Sequence, residues 1–161
     1  MIILSEVRQD AQPPRHATTF LSVLNNRLSW GASQLFLGLF GIGLNEWRIL
    51  TALRAEPDIQ ALRVAALVGM NKSIVSRSAR RLEQLDHLKT RVQKSRRLLS
   101  LTSAGEDLHD RIIVVALQRE GALLEGFAPD ECETLFTLLA RMRENLTRVE
   151  ALDRSLMVQS A

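Results

Sequence analysis

The sequence predicts a mainly α-helical chain that carries one small β hairpin, on three observations. Apolar residues recur at helical spacing along most of the 161 residues. One stretch, residues 88–101, switches to the alternation of a strand pair. Basic charge is gathered into one place: Lys72, Arg77, Arg80, Arg81, Lys89, Arg91, Lys94, Arg96 and Arg97 face only Glu83 and Asp86. That local excess of +7 sits in a chain of net +3, so the remainder is near −4 (+3 less +7).

Residues 1–14, closing with Pro13-Pro14, read as a loosely held N-terminal arm. A helix is expected over 15–40, with Phe20, Leu24, Leu28, Leu35 and Leu39 on related faces, before Gly41 and Gly43 break it. Asn45 is expected to cap the next helix, whose Trp47, Leu50 and Leu53 recur at i, i+3, i+6 and which Pro57 stops. A short helix from about Gln60 to Val68 ends at Gly69. After a tight turn, Asn71 caps a fourth helix. Val75, Ala79 and Leu82 give it a buried stripe, and Ser73, Ser76, Arg77 and Arg80 form a second face. Two helices joined by a tight Gly-containing turn, the second with such a face, are the sequence form of a helix-turn-helix.

Leu88, Thr90 and Val92 then alternate with Lys89 and Arg91, and Leu99 and Leu101 share one side of a second strand beginning near Arg97. Gln93-Lys94-Ser95 supplies a polar, basic tip, so the hairpin reads as a wing. A helix is expected to start at Thr102 or Ser103 and to run to about Glu125, with Ser103 and Glu106 as a capping box. Gly126 interrupts, Pro129 suits a first helical turn, and the last helix repeats Leu135, Leu139, Met142, Leu146 and Val149 at steps of four and three. Such a seam, like the Phe20–Leu24 face, needs a partner surface.

Composition narrows the function classes. A pI near 9.7 with localised charge points to a polyanion, most simply nucleic acid. The absence of tyrosine argues against a stacking platform for single strands. Cys132, the lone cysteine, leaves no disulfide framework or multi-cysteine zinc site, and it suits a reducing compartment. No metal or cofactor is expected: His16, His87 and His109 lack ligand spacing and read as surface or helix-end residues. No Gly-rich phosphate loop or catalytic constellation is present, so no enzyme is expected. The most apolar stretch, "LFLGLFGIGL", is far shorter than the ~20 residues of a membrane span. With no convincing signal peptide, the chain reads as cytoplasmic.

The Ser73/Ser76/Arg77/Arg80 face suits the DNA major groove, which admits one helix and in which arginine pairs bidentately with guanine. Serine hydroxyls and the helix start with Lys72 suit phosphates. Lys94, Arg96 and Arg97 are spaced to reach the neighbouring minor groove or its phosphates.

The segment from about Leu44 to Gly105 resembles the MarR family of winged-helix transcription regulators. "LNEWRIL" is similar to that family's second helix, "ALRVAALVGMNKSIVSRSARRLEQLDHL" to its helix-turn-helix, and "LLSLTSAG" to its exit from the wing. The resemblance implies a winged helix-turn-helix over 44–104, flanked by a dimerisation helix over 15–43 and C-terminal dimerisation helices over 105–161. It also implies a homodimer, through residues such as Phe20, Leu24, Leu135, Leu139, Met142, Leu146 and Val149, on pseudo-palindromic double-stranded DNA, usually repressing. Release by a small aromatic ligand follows from the same resemblance. Where the first and second helices should approach the fifth, Trp30, Trp47 and Leu108 are the candidate lining and Arg48 and Arg111 the carboxylate partners, with the ligand expected near Trp47 and Arg111. Lys94 stands where the family's wing usually has an acid before its arginine, and Gln60 where the third helix usually has a Ser or Thr cap. The alternative is a winged-helix dimerisation or protein-interaction module with weak or lost DNA binding.

Overall fold

The computed structural model describes residues 16–159; the arm expected over 1–14 lies outside them. Helices α1 (Ala17–Phe40), α2 (Leu44–Ala55), α3 (Ala61–Val68) and α4 (Lys72–Gln84) precede strands β1 (Leu88–Gln93) and β2 (Arg96–Leu101). Helices α5 (Ser103–Leu123) and α6 (Pro129–Gln159) follow. The fold is mainly helical with one antiparallel hairpin, a winged helix-turn-helix. The chain divides into two compact units between Val114 and Val115, inside α5.

In the first unit the core is built from one face of each element. Phe36 of α1, Ile49, Leu50 and Leu53 of α2, Val64 of α3, and Val75 and Leu82 of α4 are buried with Leu88, Leu99, Leu101 and Ile112. Gly41 ends α1 at φ 71, the left-handed position that costs glycine least. The Arg81 guanidinium donates to the Gly41 carbonyl at 3.0 Å, tying α4 to that helix end.

Two expected caps fall elsewhere. Gly43, not Asn45, is the N-cap of α2, and the Glu46 carboxylate accepts the Gly43 N–H at 3.1 Å. Asn45 lies within the first turn. Thr102, not Ser103, starts α5: its Oγ1 accepts the Gly105 N–H at 3.1 Å and donates to the Asp86 carbonyl at 2.5 Å. Ser103 is already helical, so the Ser103–Glu106 box does not form. Gly105 is a point of close approach between backbones. A Cβ there would stand 2.0 Å from the His87 carbonyl oxygen, so only glycine lets α5 seat on the α4–β1 corner.

The hairpin pairs Leu88 with Leu101, Thr90 with Leu99, Val92 with Arg97 and Gln93 with Arg96. Gln93 and Arg96 therefore belong to the strands, and the turn is the two residues Lys94-Ser95, at φ 46 and 61. Paired positive φ values are the signature of a type I′ turn, whose twist matches that of the strands. Val92 is 68% exposed because the hairpin has passed beyond the body of the domain there. Ile59 adds one antiparallel bridge to Leu99.

The second unit is mostly α6. Pro129 opens it, and the Glu131 carboxylate accepts the Ala128 N–H at 2.8 Å, closing the first turn. No described residue of α6 is buried, including Leu139, Met142, Leu146 and Val149, and Leu135 is half-buried.

Candidate nucleic-acid interface

The interface is organised by α4. Asn71 Oδ1 accepts the Ser73 N–H and the Ser73 hydroxyl, both at 2.8 Å, so the cap is made as the sequence predicts. That second bond occupies the hydroxyl proton of Ser73, leaving Ser73 an acceptor. Val75, Ser78, Ala79 and Leu82 fix the inward face. Ser73, Arg77 and Arg80 are exposed on the far side, and Ser76 is half-buried at the flank. A helix period of 3.6 residues makes this separation unavoidable.

A cleft opens on each side of α4. One, of about 370 Å³, lies between α3, α4 and the hairpin; Gln60, Lys72, Ser76, Arg80 and Arg97 line it, with Glu83 as its acid. Gln60 is the N-cap of α3, and no side-chain hydrogen bond caps that helix. The Arg63 N–H donates back to the Gln60 carbonyl, and the Ala61 and Leu62 N–H groups stand at the positive end of the helix dipole. The other cleft, shallow and about 700 Å³, lies between α1, α2 and α4, where Trp30, Arg48, Arg77 and Arg81 meet.

The hairpin register separates two neighbouring arginines. Side chains alternate across a strand, so Arg97 shares a face with Leu99 and Leu101 and looks toward the α4 cleft. Arg96 shares the opposite face with Leu98 and Ser100, across from Gln93, Arg91 and Lys89. Lys94 occupies the tip in a left-handed conformation that non-glycine residues adopt at a cost. Every DNA-contact candidate therefore lies on α4 or its cap, at the start of α3 or on the wing, and Arg96 and Arg97 take opposite faces of the wing.

The candidate ligand residues do not gather in one place. Trp30, 70% exposed, and Arg48 border the α1–α2–α4 cleft, and an Arg48 nitrogen lies 3.5 Å from Ser29 Oγ. Trp47 is buried, stacked on His109 with ring centroids 5.1 Å apart and edge-on to Phe36 at 5.9 Å. Leu108 is buried, and the Arg111 guanidinium lies over the Phe40 ring at 5.5 Å.

His109 corrects an expectation. It is a core residue and not a surface one, because α5 turns it onto Trp47. Its Nδ1 lies 2.9 Å from Asp110 Oδ1. The hydrogen bond to His109 holds the Asp110 carboxyl below the usual range, and the Arg54 charge adds to the effect. Sequence reasoning also missed Asp58, in the loop between α2 and α3. Its carboxylate accepts from Ser100 Oγ at 2.6 Å and pairs with Arg91 at 3.4 Å. The available signal was weak: a single isoleucine, Ile59, between polar residues in a loop.

No protein-family model and no curated protein matches the sequence. Solved structures do. A MarR/EmrR family transcriptional regulator from Acinetobacter sp. ADP1 is 31% identical, with a TM-score of 0.79 over 83% of this chain and 96% of that one. The PcaV regulator of Streptomyces coelicolor, solved with its natural ligand, is 25% identical with a TM-score of 0.66 over 83% and 98%. MepR of S. aureus, solved as a DNA complex, shares the fold at 20% identity, with a TM-score of 0.71 over 81% and 96%. With almost the whole Acinetobacter regulator matched at that identity, and the winged helix-turn-helix in common, the chain belongs to the MarR family of DNA-binding transcriptional regulators.

Proposed function

We propose that the protein represses transcription as a homodimer by reading a pseudo-palindromic operator, with α4 in the major groove and the wing against the next minor groove. The observation that carries this reading is the outer face of α4. Arg77 and Arg80 stand opposite the buried Val75–Ala79–Leu82 stripe, exposed where base edges would lie. The cleft between α4 and the wing suits the phosphate strand that separates two grooves. Lys72, Arg80 and Arg97 supply charge there, and Gln60 and the uncapped start of α3 supply hydrogen bonds. Asn71 acts as the cap that orients α4, and Ser73 and Ser76 as acceptors at its flank. Lys94 and Arg96 are assigned to the minor-groove side. Phe20 and Leu24 of α1, with Leu135, Leu139, Met142, Leu146 and Val149 of α6, are assigned to the dimer. The exposure of Phe20, Leu24, Leu146 and Val149 in a single chain supports that assignment.

Control by a small ligand is supported by the ligand-bound PcaV relative, and an aromatic acid is the chemistry suited to Trp30 and Arg48 in the cleft that Arg77 also borders. A ligand there would act only by binding the DNA-free form more tightly than the bound one. Titrating aromatic acids against the DNA complex, read by tryptophan fluorescence and release, tests this. No quenching and no release at millimolar ligand leaves a constitutive DNA-binding dimer.

The main test is a salt-titrated mobility shift on the DNA upstream of the protein's own coding sequence. Arg77→Ala or Arg80→Ala is expected to cost about 1–3 kcal/mol and to relax sequence preference. Lys94→Ala is expected to weaken all sequences alike and to flatten the salt slope by about one unit. Identical effects of all three on specific and random duplexes would leave α4 a positioning element. No binding at low salt would favour a protein-interaction module.

A further inference from the structure

We propose that Asp58 is a positioning residue for the wing: it clamps the last rung of the hairpin that the domain holds and so aims the basic tip. The inference rests on the DNA-binding reading above. Three observations converge on it. Asp58 adopts φ 59, a left-handed conformation that Asp tolerates better than most residues, and this turns its carboxylate onto the face of the hairpin away from α4. One carboxylate oxygen accepts from Ser100 Oγ at 2.6 Å, and the other faces Arg91 at 3.4 Å. Its neighbour Ile59 exchanges two backbone hydrogen bonds with Leu99, at 2.8 and 3.3 Å. The α2–α3 loop therefore grips both strands, β2 at Leu99 and Ser100 and β1 at Arg91.

The place of that grip matters. Inward of it, Leu88, Leu99 and Leu101 are buried and need no further tether. Arg91 pairs with Leu98, and the next rung outward is Val92 with Arg97, where Val92 is open to solvent. Everything beyond Arg91 projects, and that projecting piece carries Lys94, Arg96 and Arg97. A clamp on the last held rung sets the direction of all three cations. Lys89, Arg54 and Glu106 border the same groove, but Arg54 is drawn to Glu106 and Asp110, at 3.9 Å each, and not to Asp58.

The proposal makes a prediction of opposite sign to simple electrostatics. Deleting a carboxylate near a polyanion should tighten DNA binding. Asp58→Asn keeps an acceptor for Ser100 and a residue tolerant of the left-handed backbone, and it removes only the charge pairing with Arg91. We expect it to weaken binding to a duplex of the protein's own upstream DNA about three- to tenfold at fixed salt, the scale of coupled neighbouring residues. In an Arg91→Ala background the same change is expected to leave binding unweakened or slightly tighter, as simple electrostatics alone would have it. Hydrogen exchange on the free protein supplies an arm that needs no DNA. Asp58→Asn is expected to speed exchange in β1 and β2 outward of Arg91 and to leave α2 and the start of α5 unchanged. Unaltered exchange at the tip, an equal rise in α2 and α5, or unchanged or tighter DNA binding would each overturn the proposal. If the wild-type chain binds neither upstream nor random duplex, the DNA-binding reading fails, and the exchange arm alone decides whether Asp58 holds the wing.

Discussion

Gly105→Ala probes the joint between the wing and α5. In an open helix interior this change stabilises by roughly 0.5–1 kcal/mol, because glycine loses more backbone freedom on folding. At residue 105 the new Cβ would stand 2.0 Å from the His87 oxygen and 2.9 Å from its carbonyl carbon, both backbone atoms that no rotamer can move. Ordinary contact begins near 3.4 Å, so α5 and the α4–β1 corner must part by about 1.4 Å (3.4 less 2.0). Separation on that scale breaks the Thr102 N–H bond to the His87 carbonyl and the Thr102 hydroxyl bond to Asp86. Each is worth about 0.5–1.5 kcal/mol, and overpacking adds about 1–3 kcal/mol. After the helix-propensity gain is set against them, a net loss of about 3 kcal/mol is expected. Urea unfolding at one fixed protomer concentration measures it. Gly38→Ala in α1, where a Cβ meets nothing within 4 Å, is the control and is expected to be neutral or slightly stabilising. A Gly105→Ala protein as stable as wild type would refute the close-approach argument.

Thr102→Ala is expected to cost about 1 kcal/mol or more and Ser103→Ala close to nothing in the same assay, since only Thr102 caps α5. Ending the chain before Leu146 is expected to abolish the dimer or cause aggregation in analytical ultracentrifugation, and a well-behaved folded monomer would contradict the dimer assignment. The lowered Asp110 pKa gives stability that is present above the ordinary aspartate value and is lost as pH falls through the folded value. Asp110→Asn is therefore expected to lose less stability than wild type on acidification below about pH 4. Parallel acid-unfolding curves for the two proteins would refute it.

What could be read from the chain, and what could not, divides by the range of the interactions. The order of helices and the hairpin followed from local periodicity, as did the Asn71 cap and the two faces of α4. The cap of α5 falls on Thr102 and not on Ser103 because adjacent residues offer the same chemistry. Thr102 and Ser103 both carry a hydroxyl, and which one caps depends on where Gly105 meets His87. Glu46 capping Gly43 reverses the usual pattern of side chain before helix, and periodicity does not reveal it. Asp58 and Arg91 are far apart in sequence, and Trp47 and His109 farther still; their contacts exist only once α2, α5 and the hairpin have packed. The opposed faces of Arg96 and Arg97 were in principle legible, since strand alternation counted from Leu99 assigns them. Beginning the strand at Arg97 hid that.

The hairpin register has a consequence for how this wing can be altered. Which side an arginine takes is counted from Leu99: Arg97 is two positions away and Arg96 three. How far the tip reaches depends instead on the number of rungs beyond that anchor. The two properties are written in separate parts of the sequence. Adding one residue to each strand next to Lys94-Ser95 would lengthen the wing by about 3.3 Å and leave Arg97 facing α4. Deleting Leu98 would exchange the sides of Arg96 and Arg97, and because β1 keeps its length it would also require a bulge in β1 or a three-residue turn. Changes at the tip therefore alter reach, and a change of one residue near the anchor alters which cation faces the recognition helix.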